Sequence, residues 1–107
     1  MLYREYSPHP ALAKHVACMW TARVLATPPA GAQRHRVLPD NCIDILWQDD
    51  GKPGVAVGML STAIDVTSAG PERTVAVRFK PGAAGIFLRT PLHALTDCSA
   101  GIELLWI

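Results

Sequence analysis

The chain has 107 residues, half of them hydrophobic and 18% charged, with ten Lys+Arg against nine Asp+Glu for a formal net charge of +1. That balance describes one folded domain with a core of its own and excludes a disordered segment. The arginines are scattered, with only Arg34 and Arg36 close together, which excludes the clustered basic face that autonomous nucleic-acid binding needs.

Tyr3 to Pro10 reads as extended, and MLYREYSPHP puts charge and proline where a signal peptide carries an apolar core, so export is not expected. Pro10-Ala-Leu-Ala-Lys supplies a short helical turn. Val16, Cys18, Trp20, Ala22 and Val24 share one parity against Met19, Thr21 and Arg23, which predicts a strand buried largely on one face. Ala26 to Gln33, ATPPAGAQ, is a loop. His35 to Leu38 predicts a short strand and Pro39-Asp40-Asn41 a tight turn. Cys42 to Trp47 is a second strand, with Ile43, Ile45 and Trp47 on one face and Cys42, Asp44 and Leu46 on the other. Asp49-Asp50-Gly51-Lys52 is a hairpin-type turn. Val55 to Leu60 and Ala63 to Thr67 predict two more strands. Thr74 to Phe79 is the sixth, with Val75, Val77 and Phe79 opposite Thr74, Ala76 and Arg78. Pro81 to Arg89 suits a short helix, and Thr90-Pro91 opens another carrying Leu92 and Leu95. No apolar run approaches the ~20 residues of a membrane span. The end, SAGIELLWI, is apolar to the last residue and reads as part of a longer polypeptide.

The expected fold class is therefore mainly β with short C-terminal helices (α+β), a small antiparallel barrel-like or two-layer sheet. The mouth of such a sheet is a natural ligand site. Three cysteines, Cys18, Cys42 and Cys98, form no CxxC pair and lack a histidine at metal-ligand spacing, so reduced thiols and a cytoplasmic setting are expected.

Candidate sites centre on HRVLPDNCIDILW, residues 35 to 47. Asp40 and Asn41 after Pro39 suit a turn held by local side-chain hydrogen bonds. Asp44 is left over: an acid between isoleucines in a strand fit for burial needs a partner, and Arg78 and Arg36 are the candidates. Assembling His35, Asp40, Cys42 and Asp44 gives the alternative of a small standalone enzyme or metal-binding barrel, but their spacing matches no catalytic or metal pattern. Gly82 and Gly85 lack a phosphate-loop pattern and suit close packing. Trp20, Trp47 and Trp106 are core residues first, and one of them is a candidate for a pocket wall.

Taken together, YREYSPHPALAKHVACMW (3 to 20), RVLPDNCIDILW (36 to 47), VAVGMLSTAIDV (55 to 66) and VAVRFKPGAAGIFLRTPLHALTD (75 to 97) resemble the N-terminal domain of a subgroup of AraC/XylS-type transcriptional regulators. Where the family usually has Gly after LPD, this chain has Asn41, which can also occupy a left-handed turn position. The resemblance implies a bacterial, cytoplasmic regulator in which residues 1–107 form a single effector-sensing or dimerisation domain. DNA would be contacted only by a C-terminal helix-turn-helix pair that this stretch does not contain. The partners it implies are an unidentified small-molecule effector and a second copy in a homodimer, with no membrane, cofactor or enzymatic role. A cupin-like barrel is one form of the implied fold, without the Gly-x-x-x-x-His type of metal motif. On this reading Asp44 and Arg78 orient polar groups of the effector unless they pair with each other, and Trp47 and Met59 are candidate wall residues.

Overall fold

Alternating β-branched and aromatic residues place most of this chain in strands. The computed structural model describes residues 2–24, 33–37, 40–68 and 71–105, with the backbone alone at 33–36 and 65–68. Its strands are β1 (Leu2–Tyr6), β2 (Val16–Val24), β3 (Gln33–Val37), β4 (Asp44–Gln48), β5 (Val55–Val57), β6 (Ile64–Ser68), β7 (Glu72–Phe79) and β8 (Ser99–Gly101). They form an open six-stranded sheet in the order β1-β2-β7-β4-β5-β8 and a two-stranded ribbon of β3 and β6. Every pairing is antiparallel. The pairs β2·β7, β3·β6 and β4·β5 nest inside one another, as in a long hairpin rolled up on itself, which is the pairing pattern of a jelly roll.

The mainly β expectation holds in its two-layer form. The expected helices are single 3-10 turns, at Pro10–Leu12, Ala83–Ile86 and Leu92–Leu95, and a further turn that was not expected, Ile102–Leu104, follows β8. Two strands escape a reading by alternation. All of LYREY is exposed in edge strand β1, so no buried parity marks it, and Ser99-Ala-Gly in β8 is a strand only because β5 pairs with it. Loop residues 26–32, Leu38 and Pro39 lie outside the described set.

Cross-strand partners share a face, so the ladder register sorts the sheet into two sides. Ile45, opposite Val77 and Ala56, is 1% exposed. With Ile43 and Phe79 it meets Ala84, Leu88, Leu95, Ile102 and Leu105 from the C-terminal turns, and this contact is the core. Those turns cover only part of the face. Val75, which shares the parity of Val77 and Phe79, is 50% exposed, while Thr74 and Ala76 on the other face are buried. Trp47 is likewise half uncovered, with its indole over Gly54.

Local chemistry fixes the connections. Asp50 accepts from the Lys52 amide at 2.9 Å while Gly51 supplies a φ of 74°, completing the expected hairpin turn. Asp40 accepts from the Cys42 amide at 3.1 Å, so the turn before β4 is held by that side chain. Asn41 does not take the left-handed conformation expected of it; Asp97, at φ 57°, is the non-glycine residue that does among the described residues. The Asp97 carboxylate accepts from the Ser61 amide at 2.8 Å and from the Ser61 hydroxyl at 2.5 Å, and these bonds hold its pKa below the ordinary aspartate value. Gly82 meets nothing within 4 Å and serves a φ of 78° rather than the close packing expected of it. Close approach is the role of Gly58, whose amide donates to the Cys98 carbonyl at 2.9 Å.

Candidate functional site

The face of the sheet opposite the core carries Glu5, Asp44 and Arg78. Asp44 on β4 lies opposite Arg78 on β7, which lies opposite Cys18 on β2. That register brings a carboxylate and a guanidinium side by side on adjacent strands, where a planar fork can meet both oxygens. Arg78 donates from Nε to Asp44 Oδ1 at 3.1 Å and from Nη2 to Oδ2 at 3.2 Å. Trp20, next along the same face of β2, donates from Nε1 to Asp44 Oδ2 at 2.9 Å. The leftover acid therefore has its partner, and of the two arginines considered it is Arg78; the Arg36 side chain lies outside the described residues.

The network continues to the edge strand. Glu5 pairs in register with Trp20, and its Oε1 lies 3.7 Å from Arg78 Nη1. Tyr3 donates to the same oxygen at 2.8 Å, and its ring meets that of Trp20 at a centroid distance of 5.6 Å. Arg78 stays charged throughout: burial pulls its pKa down, but the hydrogen bonds and negative charge of Asp44 more than offset this and leave it raised.

Partial burial, and then the hydrogen bond to Glu5, push the Tyr3 hydroxyl up from 10.0 to about 12. Because the folded value is the higher one, the stability Tyr3 contributes is full below pH 10 and lost as pH rises toward about 12. In a Tyr6→Phe background, absorbance of the remaining phenolate should titrate near pH 12, and Glu5→Gln should move that midpoint back toward 10. A midpoint of 10 before the Glu5 change would mean that the bond does not persist in solution.

Cys18 and Cys42 flank the pair, and burial pushes both thiols up, so they stay protonated at neutral pH. Cys98 is exposed. Iodoacetamide at pH 7 should therefore label Cys98 well before the other two, as peptide mapping would read. Equal labelling of all three would show that the sheet does not shield its thiols.

Between this face and the β3–β6 ribbon runs a groove of about 480 Å³. That volume falls within the range of small-molecule sites, ~300–1,000 Å³. Ala22, Leu46 and Val57 form its floor, and Val37, Leu60 and Ile64 its opposite wall. Asp44, Arg78, Trp20 and Tyr3 close one end, Gln48, Thr74 and Ser99 add neutral polar groups, and Glu72 adds a carboxylate. Of the residues singled out from sequence, Asp44 and Arg78 meet here. Trp47 and Met59 are not among the lining residues: Trp47 sits on the opposite face, and Met59 packs against the core. Sequence reasoning missed Glu5 and Tyr3, whose place depends on the β1–β2 register. Trp20 was legible as one of three tryptophans but not as the one hydrogen-bonded to Asp44. Among the described residues no three His, Cys, Asp or Glu side chains stand close enough to hold a metal, and the His35 side chain is outside that set.

A family model described as a domain of unknown function, DUF6597, matches residues 4–100. The chain belongs to that family. The match runs from β1 into β8 and takes in Glu5, Trp20, Asp44 and Arg78, so the charged end of the groove lies inside the DUF6597 domain, while Tyr3 lies just before it. No curated protein matches the chain, and no solved structure does. Among its described residues this DUF6597 domain has no helix long and apolar enough to cross a membrane.

Proposed function

We propose that this domain is the effector-sensing part of a cytoplasmic, bacterial AraC-type transcription regulator, and that the groove is where the effector binds. The observation that carries the reading is the mainly apolar groove closed at one end by the Asp44–Arg78–Trp20 cluster. An apolar body with a few convergent polar groups is the usual make-up of a small-molecule site. The role is binding rather than catalysis: the Asp44 carboxylate is engaged by three donors and the neighbouring thiols are protonated.

The signal would pass through the β3–β6 ribbon. Two strands alone are marginal and depend on an apolar layer to pack against. A ligand filling the groove supplies more of that layer, binding the closed arrangement better than the open one and shifting the population toward it. DNA-binding units joined to the domain would read that shift. The test is the natural reading frame beyond the codon for Ile107. Two helix-turn-helix units are the expected finding, and a stop codon there overturns the regulator reading.

A dimerisation module is the second reading, favoured by Tyr6, Met19, Val75 and Trp47, which are exposed on the face opposite the groove. Sedimentation that shifts with protein concentration, and a melting temperature that no small molecule moves, would select it.

A further inference from the structure

We infer that the groove takes an amphipathic organic cation: an apolar or aromatic body carrying one protonated amine. This rests on the groove being the effector site and adds the charge of what enters it. The cluster at its closed end sets one cation, Arg78, against two carboxylates, Asp44 in the groove lining and Glu5 just outside it, beside Tyr3 and Arg78. Asp44 already occupies the Nε and Nη2 donors of that arginine, and Nη1 faces Glu5. An incoming carboxylate would have to displace Asp44, whose side chain is only 15% exposed, and leave it without its cation. An incoming ammonium needs no such displacement.

Glu5 is the group placed to receive it. Its side chain is 53% exposed, and its contact with Arg78 is long at 3.7 Å, so it has acceptor capacity beyond the one bond from Tyr3. The tilted Tyr3–Trp20 pair stands beside it, presenting the aromatic faces that attract organic cations more than anions. The remaining floor and wall, Leu46, Val57, Leu60 and Ile64 among them, suit an uncharged hydrocarbon portion. Carboxylate, aromatic pair and apolar groove thus follow one another along a single face, in the order that an amine with a hydrophobic tail presents its own parts.

The test is calorimetric titration of the 107-residue chain with three probes of similar size: phenethylammonium, 3-phenylpropionate and 3-phenylpropan-1-ol. The ammonium is expected to bind about tenfold more tightly than the carboxylate, as attraction to a net negative cluster requires. Raising salt to about 0.5 M should weaken it severalfold, because the receiving carboxylate is partly exposed. Glu5→Gln should cost about tenfold, the lower end for one charge-assisted hydrogen bond, because Glu5 is half exposed, while binding of the alcohol stays within about twofold. Tighter binding of the carboxylate than of the ammonium overturns the charge inference and leaves the groove as a site. Binding of none of the three at millimolar concentration overturns the groove reading itself.

Discussion

Gly58→Ala is expected to lower the melting temperature by roughly 15 °C, from a loss of about 3 kcal/mol at ~4–8 °C per kcal/mol in a domain of this size. A Cβ built on Gly58 would overlap the carbonyl oxygen and carbon of Leu95. Both are backbone atoms, so no side-chain rotation relieves the clash. The chain crosses itself at this point. The Gly58 amide donates to the Cys98 carbonyl, and the Asp97 amide donates to the Met59 carbonyl at 2.8 Å. Forcing the segments apart would break those bonds and lift Leu95 out of the core. Gly51→Ala is the control: nothing lies within 4 Å of the added Cβ, so only the φ of 74° is penalised. That change should cost about 1 kcal/mol. Thermal melts of the two variants decide the matter, and equal losses would mean that the crossing is loose enough to admit a methyl group.

Arg78→Leu should be the second severe change. It leaves Asp44, with its side chain 15% exposed, holding a charge against the Trp20 N–H alone. Removing one partner of a fully buried pair costs ~3–5 kcal/mol. Arg78 itself is 27% exposed, and solvent reaching that side reduces the expected loss to about 2 kcal/mol. The double variant Asp44→Leu/Arg78→Leu should regain more than half of it, since an apolar pair of similar bulk carries no stranded charge. Chemical denaturation of both singles and the double closes the cycle. Losses that simply add would show that the two side chains do not depend on each other. The double variant also separates architecture from recognition, because it should melt nearly as the parent does while losing the charged end of the groove.

How much of this was legible in the sequence varies with the range of the interaction. The alternation in β2, β4 and β7 was readable because each of these strands carries a regular two-residue pattern. The demand that Asp44 find a cation followed from its isoleucine neighbours alone. Arg78 could be named by parity, since an arginine opposite Val77 and Phe79 has to face the other side of the sheet. Glu5 and Tyr3 were not legible, because which residue of β1 meets Trp20 is set by register between strands that no local pattern encodes. Trp47 misleads for a related reason. It shares the parity of Ile43 and Ile45, but the C-terminal turns stop short of it, so a core-like pattern ends on a half-covered ring. Thr90-Pro91 and Pro81 mark the helical turns without setting their length, and that is how four-residue 3-10 turns came to be read as helices.

The nesting of the strand pairs also sets an order of assembly. Leu46 meets Val55 across one short turn, whereas Val16 must find Phe79 at the far end of the chain. The entropy of closing a loop grows with its length, so the β4–β5 hairpin is the least costly contact to make first. Once it exists, β7 can add alongside β4 over a shorter effective loop, and β2 can then add to β7. Chains dominated by such distant pairings reach the native state in milliseconds to seconds rather than microseconds. On this route β1 docks only after β2 is in place, so the strand that carries Tyr3 and Glu5 completes the charged end of the groove last.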